Sequence, residues 1–183
     1  MSVNALQKLI NDILDFSKME AGKLSIENID IDLFNLVKDV VKTHSISASE
    51  KKLQLELNFS EGIPRHLNGD PLRIKQVLDN LIGNAIKFTE QGSVQLSVRK
   101  GTKFKDKIEI VFVVTDTGIG IAPDAVGQVF DRFVKLNTFS KGTGLGLSIC
   151  RSIVEHLGGT IGAESEVGVG SRFWFTHPCA ESA

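Results

Sequence analysis

Residues 114–123 read VTDTGIGIAP and place one carboxylate, Asp116, directly after an apolar segment. Two glycines, Gly118 and Gly120, follow the acid, and residues 108–115 before it are almost continuously apolar. Such a run predicts a central strand that is buried on both faces of a sheet. The acid is therefore expected where that strand ends, at the mouth of the sheet.

A carboxylate in this position can accept a hydrogen bond from an exocyclic amine such as adenine N6, whereas guanine O6 offers no donor. Gly118 and Gly120 let the backbone approach a flat ring because neither carries a Cβ. A plain tight turn after a strand explains residues 116–120 equally well. Both interpretations remain open on this segment alone.

Hydrophobic periodicity and turn residues predict the other elements of the chain. Asp70 is expected to be an N-cap with Pro71 at the first helical position, and Gly22 is expected to end the first helix. The order of elements predicts an α+β fold: a two-layer α/β sandwich with a mixed sheet of about five strands packed under three helices, preceded by a stalk helix. The predicted helices are 3–20, 32–50, 71–89, 123–134 and 145–158, the predicted strands are 53–59, 94–98, 108–115, 160–164 and 171–177, and residues 135–143 are a predicted loop.

The first helix carries an apolar seam of coiled-coil type. Val3, Leu6, Ile10 and Ile13 repeat at spacings of three and four residues. This pattern is compatible with a helix that packs on its own domain and with half of an interrupted dimer stalk. The pattern does not decide between the two.

The 71–89 helix has a polar face made largely of amides. Gln76, Asn80, Asn84 and Lys87 fall within about 80° of arc, and apolar side chains occupy the opposite face. A solvated face usually carries Glu–Lys pairs, and asparagine is a poor helix former. An asparagine oxygen is a suitable ligand for Mg²⁺ whose charge is matched by phosphates, and a lysine can neutralise a phosphate. A plain solvated face remains the alternative.

A second glycine-rich segment, residues 141–149 (KGTGLGLSI), opens the 145–158 helix. Gly142, Gly144 and Gly146 differ from the Walker spacing. Backbone N–H groups at a helix N-terminus bind phosphate well, so a phosphate site is one interpretation. A flexible hinge is the other.

The bulk composition narrows the class of protein. The chain has 183 residues, of which 42% are hydrophobic and 23% charged, as in an ordinary globular domain. The net charge of −1 gives no electrostatic reason to expect a nucleic-acid partner. No apolar run approaches the roughly 18 residues of a membrane span. Cys150 and Cys179 form no metal or redox motif, which is typical of reduced cysteines in a cytoplasmic protein.

Four motifs occur in an order that resembles the sensor histidine kinases of two-component signalling: NLIGNAIKF (80–88), DTGIGI (116–121), FDRF (130–133) and GTGLGLSI (142–149). They are similar to the N, G1, F and G2 boxes of that family, whose nucleotide fold is shared with DNA gyrase and mismatch-repair ATPases. Residues 11–24 resemble the end of its dimerisation stalk. The resemblance implies a stalk segment at 1–22, an ATP-binding catalytic domain at 23–179 and a tail at 180–183.

The resemblance implies ATP and Mg²⁺ as cofactors and gives the site residues roles. Asn80 would complete the coordination of Mg²⁺, Lys87 would meet a phosphate, and Asp116 would bind adenine N6. The resemblance also implies a mobile lid over the nucleotide, which Gly142, Gly144 and Gly146 would hinge. Phe88 would pack near the base, and Phe130 and Phe133 would anchor the base of the lid. The implied nucleotide-binding residues are Asn84, Phe88, Asp116, Gly118, Gly120, Ile121, Lys135, Lys141, Gly142, Thr143, Gly144, Leu145 and Gly146, and the implied catalytic residues are Gln76, Asn80 and Lys87.

The family's phosphoryl acceptor is a stalk histidine in a motif like SHELRTP, which none of His44, His66, His156 and His177 matches. The expected partners are therefore a histidine-bearing stalk helix of the parent protein and a response-regulator receiver domain. The parent is expected to be a homodimeric membrane sensor with this domain in the cytoplasm. In ATP-hydrolysing relatives a glutamate stands where Gln76 stands here, so slow hydrolysis is expected. A degenerate nucleotide-binding module and an ATP-gated ATPase remain alternatives.

Overall fold

The computed structural model describes residues 3–22, 25–131 and 146–182. Within these residues the chain forms five helices and seven strands. The helices are α1 (Val3–Glu20), α2 (Leu33–Glu50), α3 (Pro71–Phe88), α4 (Pro123–Val126) and α5 (Gly146–His156). The strands are β1 (Ile29–Asp32), β2 (Gln54–Phe59), β3 (His66–Gly69), β4 (Ser93–Phe104), β5 (Lys107–Asp116), β6 (Ile161–Glu166) and β7 (Gly170–Glu181).

The strands form one mixed sheet in the order β1-β3-β7-β5-β4-β2, and β6 also pairs with β7. β2 and β4 run parallel, and the other paired strands run antiparallel. The predicted α+β class is confirmed, but the predicted count of about five strands is wrong. β1 and β3 are the strands that were missed. Each has four residues, and their sequences, IDID and HLNG, are too short and too polar to give a clear strand signal.

The core lies between the sheet and the helices α2, α3 and α5. Phe112 of β5 and Phe175 of β7 stack at the centre with ring centroids 4.5 Å apart, and both are fully buried. Val111 and Val113, which point to the other side of β5, are buried as well. The prediction of a central strand buried on both faces is therefore confirmed.

Helix α3 begins and ends as its sequence predicts. Asp70 caps it by accepting a hydrogen bond from the Arg73 N–H at 3.0 Å, and Pro71 occupies the first turn. The other carboxylate oxygen of Asp70 accepts from the Glu27 N–H at 2.7 Å, which ties the preceding segment to the helix. At the far end, the Lys51 ammonium donates to the Ile86 carbonyl at 2.7 Å. These bonds satisfy backbone groups that a helix end leaves without partners.

Three predicted boundaries differ from the structure by several residues. Strand β4, expected at 94–98, runs from Ser93 to Phe104, because it stays paired with β5 beyond Val98, where its own apolar alternation ends. The helix expected at 123–134 ends at Val126, because Gly127 is a poor helix former and the chain continues in single turns as far as Asp131. Strand β7 continues through Glu181, where residues 180 and 181 pair with β3, so the predicted tail is too long.

Helix α1 packs against α5, while its apolar seam faces solvent. Val3, Leu6, Ile10 and Ile13 are all exposed. The helix therefore contacts its own domain through one side and keeps the predicted seam without a partner in the described part of the chain. Its assignment to a dimer stalk stays a prediction. Among the described residues, no helix is both long enough and apolar enough to span a bilayer.

His177 of β7 is expected to make stability depend on pH. The side chain is 5% exposed, and neither ring nitrogen has a partner in the described residues. Burial lowers the pKa of His177 from 6.5 to about 4, although the nearby Asp70 carboxylate opposes this shift and Lys107 adds to it. The unfolded chain therefore binds a proton first, and the stability present above pH 6.5 is lost as the pH falls towards 4. We expect a loss of about 2 kcal/mol between pH 7 and pH 5.

Urea unfolding of the wild type and of His177→Leu at several pH values measures this effect. The variant should show a smaller decrease in the free energy of unfolding on acidification. His156→Leu, which changes an exposed histidine, is the matched control and should follow the wild type. Equal slopes for the wild type and His177→Leu would contradict the assignment.

Candidate active site

An open pocket lies between α3 and the ends of the central strands. The helix forms one wall, β5 and β7 form the floor, and the loop after β5 forms the third side. Most of the lining is apolar, as in pockets that hold a flat ring. The lining residues are Leu81, Asn84, Ala85, Phe88, Val114, Asp116, Ile119, Gly120, Ile121, Ser171 and Phe173.

Asp116, the last residue of β5, supplies the carboxylate of the pocket and is 8% exposed. Its Oδ1 accepts hydrogen bonds from the backbone N–H groups of Gly118, at 2.9 Å, and Ser171, at 3.2 Å. Burial raises the pKa of the Asp116 carboxyl above its ordinary value, and these two donors partly offset the rise. Oδ2 has no hydrogen-bond partner in the described residues, so one oriented acceptor is available to a donor in the pocket.

The glycines after Asp116 are required by the protein's own packing. A Cβ on Gly118 would lie 2.4 Å from the carbonyl oxygen of Phe88, at the end of α3. Gly120 has φ +75°, and a Cβ there would lie 2.2 Å from the carbonyl oxygen of Glu166. Gly120 lines the pocket, but Gly118 does not. Their predicted role as walls for a ring stays a prediction, and the structure adds a steric reason for each glycine.

The loop is fixed from the other side by a serine pair. Ser165 Oγ accepts the backbone N–H of Ile121 at 2.7 Å and lies 2.7 Å from Ser171 Oγ. Ile121, a predicted site residue, is thereby held against the pocket. Sequence reasoning missed Ser171, because its position depends on the pairing of β5 with β7, in which Ser171 stands opposite Asp116.

The amide face of α3 is divided between two environments. Asn84 lines the pocket, and Asn80 lies one turn earlier and is 7% exposed. Asn80 Nδ2 donates to the Gln76 carbonyl at 3.0 Å. Its Oδ1 faces the first residue of α5, since a Cβ on Gly146 would lie 2.9 Å from that oxygen. Asn80 therefore presents an amide oxygen to the N-terminus of a helix, beyond the end of the pocket.

The residues around Asn80 fit Mg²⁺ only if phosphates supply most of the other ligands. An amide oxygen is a hard, uncharged ligand of the kind this ion accepts. The described residues contain no group of three His, Cys, Asp or Glu side chains placed to hold a metal. The charge and the remaining ligands would have to come from the nucleotide and from water.

Gln76, one turn before Asn80, is engaged at both ends of its amide. Its Nε2 donates to Asp15 Oδ2 of α1 at 2.5 Å, and its Oε1 accepts from the Arg73 guanidinium at 2.7 Å. Arg73 also donates to the Ser25 carbonyl at 3.3 Å and lies 3.6 Å from Asp15. This cluster ties α1 and the following segment to α3. Sequence reasoning missed Asp15 and Arg73, which no motif marks.

Lys87 and Phe88 lie at the end of α3. Phe88 lines the pocket, whereas Lys87 is exposed and places its ammonium 5.4 Å from the centre of the Phe88 ring. This is within the range of a cation–π interaction. The predicted contact between Lys87 and a phosphate stays a prediction.

Much of the predicted lid falls outside the described residues. Phe130 is described and meets Phe173 edge-on at 6.1 Å, and Gly146 opens α5. The predicted residues outside the described ranges are Phe133, Lys135, Lys141, Gly142, Thr143, Gly144 and Leu145.

The sheet is packed under three helices, and its mainly apolar pocket holds the buried carboxylate of Asp116. Asn80 lies on α3 one turn before the pocket residue Asn84. These features are typical of a nucleotide-binding domain. A family model described as "Histidine kinase-, DNA gyrase B-, and HSP90-like ATPase" matches residues 69–181. The chain belongs to this family. Its relatives place it among the histidine kinases of the family, as the ATP-binding catalytic domain.

Two curated relatives and one solved structure illustrate the similarity. The chain is 42% identical to the signal transduction histidine-protein kinase BarA of Escherichia coli K12, covering 95% of this chain and 19% of BarA. It is 40% identical to the sensor histidine kinase GacS of Pseudomonas protegens, and the match covers 96% of this chain and 20% of GacS. The crystal structure of full-length ShkA in complex with AMPPNP matches with a TM-score of 0.85 and 35% identity, covering 97% of this chain and 36% of ShkA. The chain thus spans about a fifth of the length of these curated relatives.

Proposed function

We propose that this chain binds ATP with Mg²⁺ and donates the γ-phosphoryl group to a histidine on a separate stalk helix, from which it passes to a response-regulator receiver domain. The observation that carries the proposal is the orientation of Asp116. Two backbone donors hold Oδ1, and Oδ2 is left as an acceptor at the floor of an apolar pocket. ShkA, a similar protein, has been crystallised with AMPPNP.

Adenine fits this pocket by its hydrogen-bond pattern. Its N6 amine donates, and Asp116 Oδ2 accepts. Guanine would place the O6 acceptor against the carboxylate, and two facing acceptors in a buried site are costly. Phe88 and Ile121 contribute apolar surface for the ring, and Gly120 lies beside it.

The phosphates would extend along α3 from the pocket towards Asn80. Asn80 lies about 12 Å from Phe88 along the helix, at 1.5 Å per residue. Its Oδ1 faces the N-terminus of α5, where backbone N–H groups favour anions. Asn80 would be the protein ligand of Mg²⁺, which when bound neutralises phosphate charge. Lys87, Lys135 and Lys141 would meet phosphates, and Gly142, Gly144 and Gly146 would close the site. Thr143 and Leu145 would also contact the nucleotide.

In the transfer step, the protein would position the reactants and stabilise charge, and it would form no covalent bond itself. A nitrogen lone pair of the acceptor imidazole would form a bond to the γ-phosphorus while the bond to the β–γ bridging oxygen breaks and ADP leaves. This chain would hold the triphosphate in line and exclude water. Gln76 carries an amide and so supplies no base to activate a competing water.

The acceptor is proposed to lie on another segment, because the four histidines of this chain are otherwise engaged or distant. His44 binds Asp79 at 2.8 Å, His66 lies 3.2 Å from Asp30, and His156 contacts the Ser152 carbonyl. His177 is buried, and none of the four lines the pocket. We assign α1 to the end of the acceptor stalk in a homodimeric membrane sensor whose kinase domain is cytoplasmic.

Labelled ATP tests the proposal. Incubated alone with γ-labelled ATP and Mg²⁺, the chain should stay unlabelled, and added histidine-bearing stalk from the parent protein should acquire acid-labile phosphate. A stalk with its acceptor histidine changed to glutamine is the control and should remain unlabelled. Labelling of His44, His66, His156 or His177, or an unlabelled intact stalk, would contradict the proposal.

A Gln76 variant tests why ATP hydrolysis by this domain would be slow. Gln76→Glu supplies a general base, but the new carboxylate would face Asp15 Oδ2 in place of the amide N–H. The double variant Gln76→Glu/Asp15→Asn removes that repulsion, and we expect its ATP hydrolysis to rise about 100-fold above the wild type. Phosphate release measures the rate, and Asp15→Asn alone is the control. Hydrolysis no faster in the double variant than in Asp15→Asn would refute the role given to Gln76.

A further inference from the structure

The hairpin of β4 and β5 ends in a strongly basic tip. Residues 99–107 read RKGTKFKDK and hold five cations and one acid, within a chain whose net charge is −1. β2 pairs with β4 only as far as Val98, so the tip extends beyond its neighbour on that side. The tip lies about 30 Å from Asp116 along β5, at about 3.3 Å per residue. It therefore belongs to a different surface from the nucleotide pocket.

The cations of the tip form no ion pairs with carboxylates in the described part of the chain. Among the described residues, none of the five cations lies within ion-pair distance of a carboxylate. Phe104 stands among them with 68% of its surface exposed, and the Lys105 ammonium lies 5.6 Å from the centre of its ring. A large, mostly exposed aromatic side chain among residues with several cations that lack carboxylate partners is suited to a boundary between apolar and anionic material.

The apex lysine adopts a costly backbone conformation. Lys105 has φ +55°, in the left-handed region that hairpin turns usually fill with glycine or asparagine. Glycine at this position would favour the turn more than lysine does. Backbone geometry alone thus gives no reason for lysine in place of glycine at the apex.

We propose that this tip docks the domain on an anionic lipid bilayer, with Phe104 in the headgroup region and the surrounding cations on lipid phosphates and carboxylates. Four of the five cations are lysines: Lys100, Lys103, Lys105 and Lys107. Lysine is depleted at protein–protein interfaces, whereas clusters of four to eight basic residues are typical of segments that bind anionic lipid. Docking through this tip keeps the nucleotide pocket at the opposite end of the sheet, away from the lipid.

Sedimentation of the 183-residue chain with phosphatidylcholine vesicles, with and without phosphatidylserine, tests the proposal. The chain should bind the phosphatidylserine vesicles at low salt, bind plain phosphatidylcholine weakly, and be released by high salt. Lys103→Gln/Lys105→Gln should weaken binding about 30-fold. Phe104→Ala should weaken it about tenfold.

Matched variants separate docking from folding and from overall charge. Lys38→Gln/Lys42→Gln removes two exposed lysines from α2 and should bind like the wild type. Lys105→Gly should melt at the same temperature as the wild type or higher, yet bind about fivefold more weakly. Lys52→Gly relieves a similar positive φ, of 58°, at the other end of the sheet and should keep full binding.

Three results would overturn the proposal. One is equal binding to vesicles with and without phosphatidylserine. Another is equal losses in the Lys38/Lys42 and Lys103/Lys105 variants. The third is tighter binding to an acidic polypeptide or an oligonucleotide than to the vesicles, because that would assign the tip to another class of partner. None of these outcomes depends on ATP binding, so the proposal stands or falls separately from the kinase function.

Discussion

Asp116→Asn is expected to lower the affinity for ATP about 100-fold. The asparagine Oδ1 would keep the hydrogen bonds from Gly118 and Ser171, so its Nδ2 would replace the acceptor oxygen. Two donors, Nδ2 and adenine N6, would then face each other in a buried pocket. The loss combines a hydrogen bond to a charged group with the desolvation of an unmatched donor.

Titration calorimetry on the purified chain measures this affinity. Asp124→Asn, which changes an exposed acid of α4 near the pocket, is the matched control and should bind as the wild type does. GTP provides a sharper comparison, because the new Nδ2 can donate to guanine O6. The preference for ATP over GTP should therefore narrow or invert in Asp116→Asn. An unchanged ATP affinity and an unchanged preference would remove Asp116 from base recognition.

Asn80→Ala is expected to reduce phosphoryl transfer to the stalk histidine about 100-fold. The proposed Mg²⁺ ligand, Oδ1, is lost, whereas the pocket for the base is untouched. Alanine favours the helix, and the amide hydrogen bond that disappears is local to α3, so the fold should persist. Metal-free ATP affinity should stay close to that of the wild type, because the metal ligand makes no contact with the base.

The rate of transfer as a function of Mg²⁺ concentration distinguishes this role from a purely structural one. The wild-type rate should saturate, whereas the Asn80→Ala rate should saturate only at higher Mg²⁺ or not at all. Lys75→Ala, on the exposed side of the same helix, is the control. A variant with a reduced rate but the same Mg²⁺ dependence would show that Asn80 is not a metal ligand.

The sequence predicted those parts of the fold that local chemistry determines. Asp70 and Pro71 identify the start of α3, and an almost continuous apolar run identifies β5 with Asp116 at its end. Helix α4 was predicted too long because the pattern was read across Gly127. β1 and β3 were missed because their extended conformation depends on pairing with strands that are distant in sequence.

For the candidate site as well, local sequence predicted some residues, and those that depend on tertiary packing were missed. Asn84, Phe88 and Asp116, which carry chemistry in recognisable positions, line one pocket. Ser171 was missed because it meets Asp116 only through the register of two strands. The contact of Gln76 with Asp15 depends on where α1 packs, and no sequence pattern specifies that packing.

A crystal structure of the chain with Mg²⁺ and a non-hydrolysable ATP analogue tests the central claim most directly. We expect adenine N6 about 3 Å from Asp116 Oδ2 and the metal about 2.1 Å from Asn80 Oδ1, with the phosphates against the start of α5. A nucleotide bound elsewhere, or one bound here with its amine turned away from Asp116, would contradict it.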